Sequence, residues 1–148
     1  MPSSSPVRSV LFLDPLARGA DIALLAMRLV VGLFLIWGVW DNVVDPARMA
    51  EFEGFLGSQG FVRPDVMAPL SVWAQLACGV AFVLGIGTRW AGLVCAFNFV
   101  VALAMVDAKL GIRPAFPSAM LVVVSLYFAT KGAGSFSLDR LLLGAKSA

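Results

Sequence analysis

The chain has 148 residues, 60% hydrophobic and 14% charged, with a mean hydropathy of +0.92. An average soluble domain carries about 25% charged residues, so the composition implies a membrane protein and leaves no room for a separate soluble catalytic domain. The net charge of +2 comes mostly from Lys and Arg flanking apolar runs, which membrane topology explains without nucleic acid, and the absence of histidine excludes a histidine-ligated haem or histidine metal site in this chain.

Residues 1–20 read as a cytoplasmic N-terminal segment. Their apolar run, Val10 to Leu13, is shorter than the roughly 7 to 15 residues of a secretory signal core and is expected to lie in the membrane interface. The first span covers about 22–40 and carries Arg28 roughly 9 Å from its start. At that depth a guanidinium is expected to snorkel toward the headgroups. Trp37 and Trp40 close the span as an interfacial belt.

The connection from Asp41 to Met67 holds five acids, and within it Asp45 is placed to cap a helix opened by Pro46. Met49, Phe52 and Leu56 share one face of that helix, and Gly57 and Gly60 end it. A short amphipathic helix on the outer surface is expected. The second span, about 68–86, contains Gln75 and Cys78, and its Ala77, Ala81 and Gly85 recur at every fourth position, a spacing that lets helices approach closely in lipid. Gly87-Thr88-Arg89 separates it from the third span, about 90–106, which holds Cys95 and Asn98. A loop through Gly111 and Pro114 leads to a short fourth span, about 116–130, containing Tyr127. Residues 132–148 form a tail in which Ser137 is placed to cap a helix over Leu138 to Leu143.

The fold expected is therefore an all-α integral membrane protein, an antiparallel four-helix bundle with a short amphipathic helix in the first outer loop. Under this topology seven basic residues lie on the side of the termini and the Gly87 turn. Four lie opposite, together with six of the nine acids. The positive-inside rule then places both termini in the cytoplasm.

Several short pieces fall in order along this layout: Arg28-Leu29 with Gly32 and Phe34, Gly38, Asp45-Pro46, Gly79, Leu84 through Arg89 with Gly85, Gly87 and Thr88, then Gly132-Ala-Gly134 and Ser137-Leu138-Asp139-Arg140. Together they resemble the DoxX family of small four-helix bacterial membrane proteins, from about Asp21 to Leu142. The resemblance implies residence in the bacterial inner membrane and a link to membrane redox systems such as quinone-linked oxidation of thiosulfate. This chain departs from the family where members often have His, Lys and Glu, carrying Trp37, Asn42 and Gln75 instead.

Arg28, Gln75, Asn98 and Tyr127 are the candidate site residues. If they face the bundle interior they form a polar clasp between helices, or contact a quinone or lipid headgroup. Ion translocation asks for more titratable groups. Cys78 and Cys95 lie at equal depth about the Gly87 turn and read as small packing residues, with a redox pair as the alternative. Asp41 with Asp45 reads as a solvated pair, and no metal centre is expected.

Two functions of different class follow. One is a non-catalytic accessory or anchoring subunit of a membrane complex, with lipids and other membrane subunits as partners and a homo-oligomer compatible. The other is a quinone-binding component of a thiosulfate:quinone type oxidoreductase, with quinone as its one conceivable cofactor near Arg28. A small-molecule transporter is a third. The uncharged Trp37, Asn42 and Gln75 favour the first.

Overall fold

The computed structural model describes residues 19–144, which contain six helices and, among the described residues, no strand. These are α1 (Ala20–Val44), α2 (Pro46–Ser58), α3 (Pro64–Leu84), α4 (Thr88–Leu110), α5 (Ile112–Lys131) and α6 (Leu138–Leu143). α1, α3, α4 and α5 are long and apolar enough to cross a membrane. The expected interfacial segment Val10 to Leu13 lies outside the described residues.

Helix ends follow local chemistry. α1 runs past Trp40 to Val44 because nothing breaks it before Asp45. That residue precedes Pro46 and takes an extended conformation (φ −123°, ψ 110°), as the clash with a following proline ring requires. The Asp45 side chain accepts a hydrogen bond from the Ala47 N–H at 2.8 Å and caps α2. α3 opens at Pro64, ahead of the expected start near 68, because a proline in the first turn lacks only an N–H that would have no helical partner. For the same reason Pro114, expected in a loop, lies in the first turn of α5. α4 is not α-helical throughout. Leu103–Asp107 form a π turn in which the Ala108 N–H reaches back five residues to the Leu103 carbonyl.

Consecutive spans pack together: α1 on α3, α3 on α4, and α4 on α5, while α2 lies across α1 and α3. The centre is Leu24, Leu35, Cys78, Phe82, Cys95 and Phe128, with the Phe82 and Phe128 rings edge to face at 4.8 Å. Two glycine contacts set the closest approaches. A Cβ on Gly32 would stand 2.7 Å from the Gly79 carbonyl oxygen, and one on Gly79 would stand 2.8 Å from that of Gly32. On the other side, a Cβ on Gly92 would stand 2.5 Å from the Ser125 carbonyl oxygen. The close approach of α1 and α3 thus runs through Gly79. Ala77 faces outward, Ala81 is half-buried, and Gly85 belongs to the turn that follows. Cys78, Gly79 and Phe82 point inward because the α1-facing stripe is offset from the Ala77, Ala81 series.

The start of α1, the turn between α3 and α4, the end of α5 and α6 meet at one end of the bundle, called here the terminal end. α2 and the Gly111 turn form the other.

Candidate functional site

Arg28 is only 1% exposed. Its Nε donates to the Phe82 carbonyl at 2.9 Å, and its Nη1 donates to the carbonyls of Ala133 and, at 2.9 Å, of Phe136. The remaining Nη2 has no hydrogen-bond partner among the described residues and lies against Gly85, where a Cβ would collide with it. Gly85 has φ +70°, a conformation that favours glycine, so backbone freedom and space both select that residue. Arg28 therefore does not snorkel. Placing an arginine at the centre of a membrane helix costs about 3 kcal/mol on insertion scales, and each hydrogen bond to a charged group returns about 1.5–3 kcal/mol. Three carbonyls offset the burial.

The surrounding motif residues complete the same fastening. Gly87 donates its N–H to Asp139 Oδ1 at 3.0 Å, and Asp139 donates its own N–H to the Gly85 carbonyl at 3.0 Å. Ser137 Oγ accepts from the Arg140 N–H at 3.3 Å and caps α6, with Leu138 as the first residue of that helix. Arg89 Nη1 donates to the Thr130 carbonyl at 2.7 Å, placing a cation on the exposed carbonyls that end α5. Asp21 accepts from the Ser135 hydroxyl. Thr88 is buried, and its Oγ1 has no partner among the described residues. Gly38 is exposed and has nothing near enough to touch a Cβ.

The four candidate site residues do not converge. Gln75 and Asn98 meet through Ser71: the Ser71 hydroxyl donates to Asn98 Oδ1 at 2.9 Å, and Gln75 Nε2 donates to Ser71 Oγ at 3.1 Å. Arg28 belongs to the fastening at the terminal end. Tyr127 is 44% exposed on the outer surface of α5. The expected polar clasp of all four is replaced by two separate arrangements, because Arg28 turns to the carbonyls of Phe82, Ala133 and Phe136 while Asn98 turns to Ser71.

The Ser71–Gln75–Asn98 chain lines a cavity of about 580 Å³ beneath α2, between α3 and α4. Its walls are mostly apolar. Phe52 and Phe55 enter from α2, Phe61 from the loop after it, and Phe97 and Phe99 from α4. Asp107 lines the cavity at the end of the π turn, and its Oδ2 accepts from Ser118. Asp107 lies nine residues after Asn98, about 180° away around an unbroken α-helix. A π turn holds one extra residue and turns Asp107 back by roughly 100°. The sequence reading missed Ser71 and Asp107. The four-residue spacing of Ser71 and Gln75 was a usable signal, while the π turn that redirects Asp107 left none.

A volume of this size matches a small-molecule site. The polar chain keeps one N–H of Gln75 and both N–H of Asn98 outside the hydrogen bonds described, so it can orient a ligand carrying acceptor atoms. Above the cavity, the charged groups of the α2 end pair locally. The hydrogen bond that Arg48 donates to Glu51 and the charge of that carboxylate, with Asp41 behind it, raise the pKa of Arg48 above its ordinary value. Asp65 does the same to Arg63 by the same order of causes. Asp41 with Asp45 forms no metal cluster, and no group of three or more candidate metal ligands occurs among the described residues.

Cys78 and Cys95 are both buried in the core cluster as free thiols. The Cys78 thiol donates to the Ala91 carbonyl at 3.3 Å.

Compared with known proteins, residues 23–108 match the DoxX family model. No curated protein and no solved structure matches the chain.

Proposed function

From the premise that the chain belongs to the DoxX family, we propose that this multi-pass membrane protein is a non-catalytic accessory or anchoring subunit of a membrane redox complex in the bacterial inner membrane, with both termini cytoplasmic. The observation that carries the reading is the commitment of Arg28. Three of its five N–H donors go to the carbonyls of Phe82, Ala133 and Phe136, which is the work of a fastening, and at 1% exposure the guanidinium presents little surface to a quinone. Gly85, Gly87 and Asp139 hold α6 to the α3–α4 turn. The orientation follows from the excess of basic residues at that end.

A broad apolar exterior is what such a subunit offers its neighbours. Leu33, Phe34, Trp73, Trp90 and Phe97 all face outward and meet lipid or another helix bundle. Purification from native membranes in mild detergent tests the proposal. Stoichiometric partner proteins without extractable quinone are expected. Bound quinone that is lost in Arg28→Ala, in protein that still elutes as a folded species, would reverse the preference in favour of a quinone-binding component.

A further inference from the structure

We propose that the cavity beneath α2 binds a lipophilic cation, an amine or other onium group carried on an apolar body. The inference is independent of the accessory role and rests on the composition of one wall. Asp107 is the sole ionisable residue among those lining the cavity, and none of them is basic. Its Oδ2 takes the Ser118 hydroxyl, and Oδ1 takes no protein hydrogen bond among the described residues. The two ion pairs found there, Arg48–Glu51 and Arg63–Asp65, leave it out. Lys109 and Arg113 are near in sequence, but both are exposed and neither lines the cavity. An acidic group facing a low-dielectric space without a countercharge attracts a cation more strongly than it would in water.

The aromatic walls suit the same ligand, while the N–H groups of Gln75 and Asn98 suit acceptor atoms on its body. Phe52, Phe55, Phe61, Phe97 and Phe99 present five aromatic rings to the cavity, and a cation is attracted to the face of such a ring most strongly where water is excluded. An anionic headgroup would be repelled by Asp107, and the phosphate of a zwitterionic one would find no basic residue among those lining the cavity. A neutral apolar molecule would leave its carboxyl unanswered. The α2 end as a whole carries six acids against four basic residues, so the field at the mouth has the same sign. The π turn bears on the same point, since it is what brings Asp107 round to the cavity wall.

The test uses the full chain purified in detergent micelles, with tetraphenylphosphonium as the probe and neutral triphenylphosphine oxide as its uncharged counterpart, both followed by equilibrium dialysis. Saturable binding of the cation, about tenfold or more tighter than the neutral compound, is expected. Asp107→Asn is expected to weaken the cation by a similar factor, and Asp65→Asn, outside the cavity, to leave it unchanged. Equal binding of the charged and neutral compounds would overturn the proposal, as would an Asp107→Asn protein that binds the cation as tightly as the parent. If Asp107→Asn does not fold, Phe97→Ala at the outer rim replaces it. Weaker cation binding there supports the site, and unchanged binding contradicts it.

Discussion

Arg28 shows how one side chain organises an end of the bundle. It gathers carbonyls from α3 and from two points of the chain after α5, so its removal leaves three buried acceptors without a donor. Arg28→Gln is expected to destabilise the protein by about 3 kcal/mol, read as an earlier thermal transition in detergent, and an unchanged transition would exclude the fastening role. The glycines provide a paired comparison. Gly79→Ala presses a methyl group onto the Gly32 carbonyl and is expected to cost about 1–3 kcal/mol, whereas Gly38→Ala, inside α1 and meeting nothing among the described residues, should melt no lower than the parent. The presence of Arg28 in a span and the Gly85–Arg89 run were plain in the sequence. Where the guanidinium points was not, because its acceptors are backbone carbonyls up to 108 residues away, and any residue type can supply a carbonyl.

At the scale of elements, the four apolar runs, the Asp45–Pro46 start of α2 and the Ser137 start of α6 were legible because each depends on neighbours in sequence. The π turn in α4 was not legible, since Leu103–Asp107 carries no residue that marks an extra residue per turn. The early starts of α3 and α5 were missed for a related reason: Pro64 and Pro114 suit a first helical turn as well as a loop. α6 is only six residues long, too short to persist alone, and it is held by the exchange between Asp139 and the Gly85–Gly87 turn. Asp139→Ala is therefore expected to release it, detected as faster amide exchange over 138–143 with the exchange of α3 unchanged. Unaltered exchange in α6 would show that other contacts hold it. The cap on α2 predicts a smaller effect, with Asp45→Ala lowering stability by about 1 kcal/mol.

For the whole molecule, the hydrogen bond between Gly87 and Asp139 requires that the central turn and the tail share one face of the membrane. Single cysteines at Gly87 and Arg140, in a background with Cys78 and Cys95 replaced, should react with an impermeant reagent from one side only, and a cysteine at Gln59 from the other. Labelling of the first two from opposite sides would contradict the bundle. The sequence marked the same topology through its basic residues, but it placed Gln75 and Asn98 in one group with Arg28. The structure separates them because contacts between α3 and α4 are fixed by helix rotation, which hydropathy alone does not report.

The central claim is that this bundle supports chemistry carried by other subunits and performs none by itself. The most direct measurement places the purified, partner-free chain in proteoliposomes with a quinone and thiosulfate as electron donor, and follows quinone reduction. The account predicts a rate equal to that of protein-free vesicles; sustained reduction that scales with the amount of protein would contradict it.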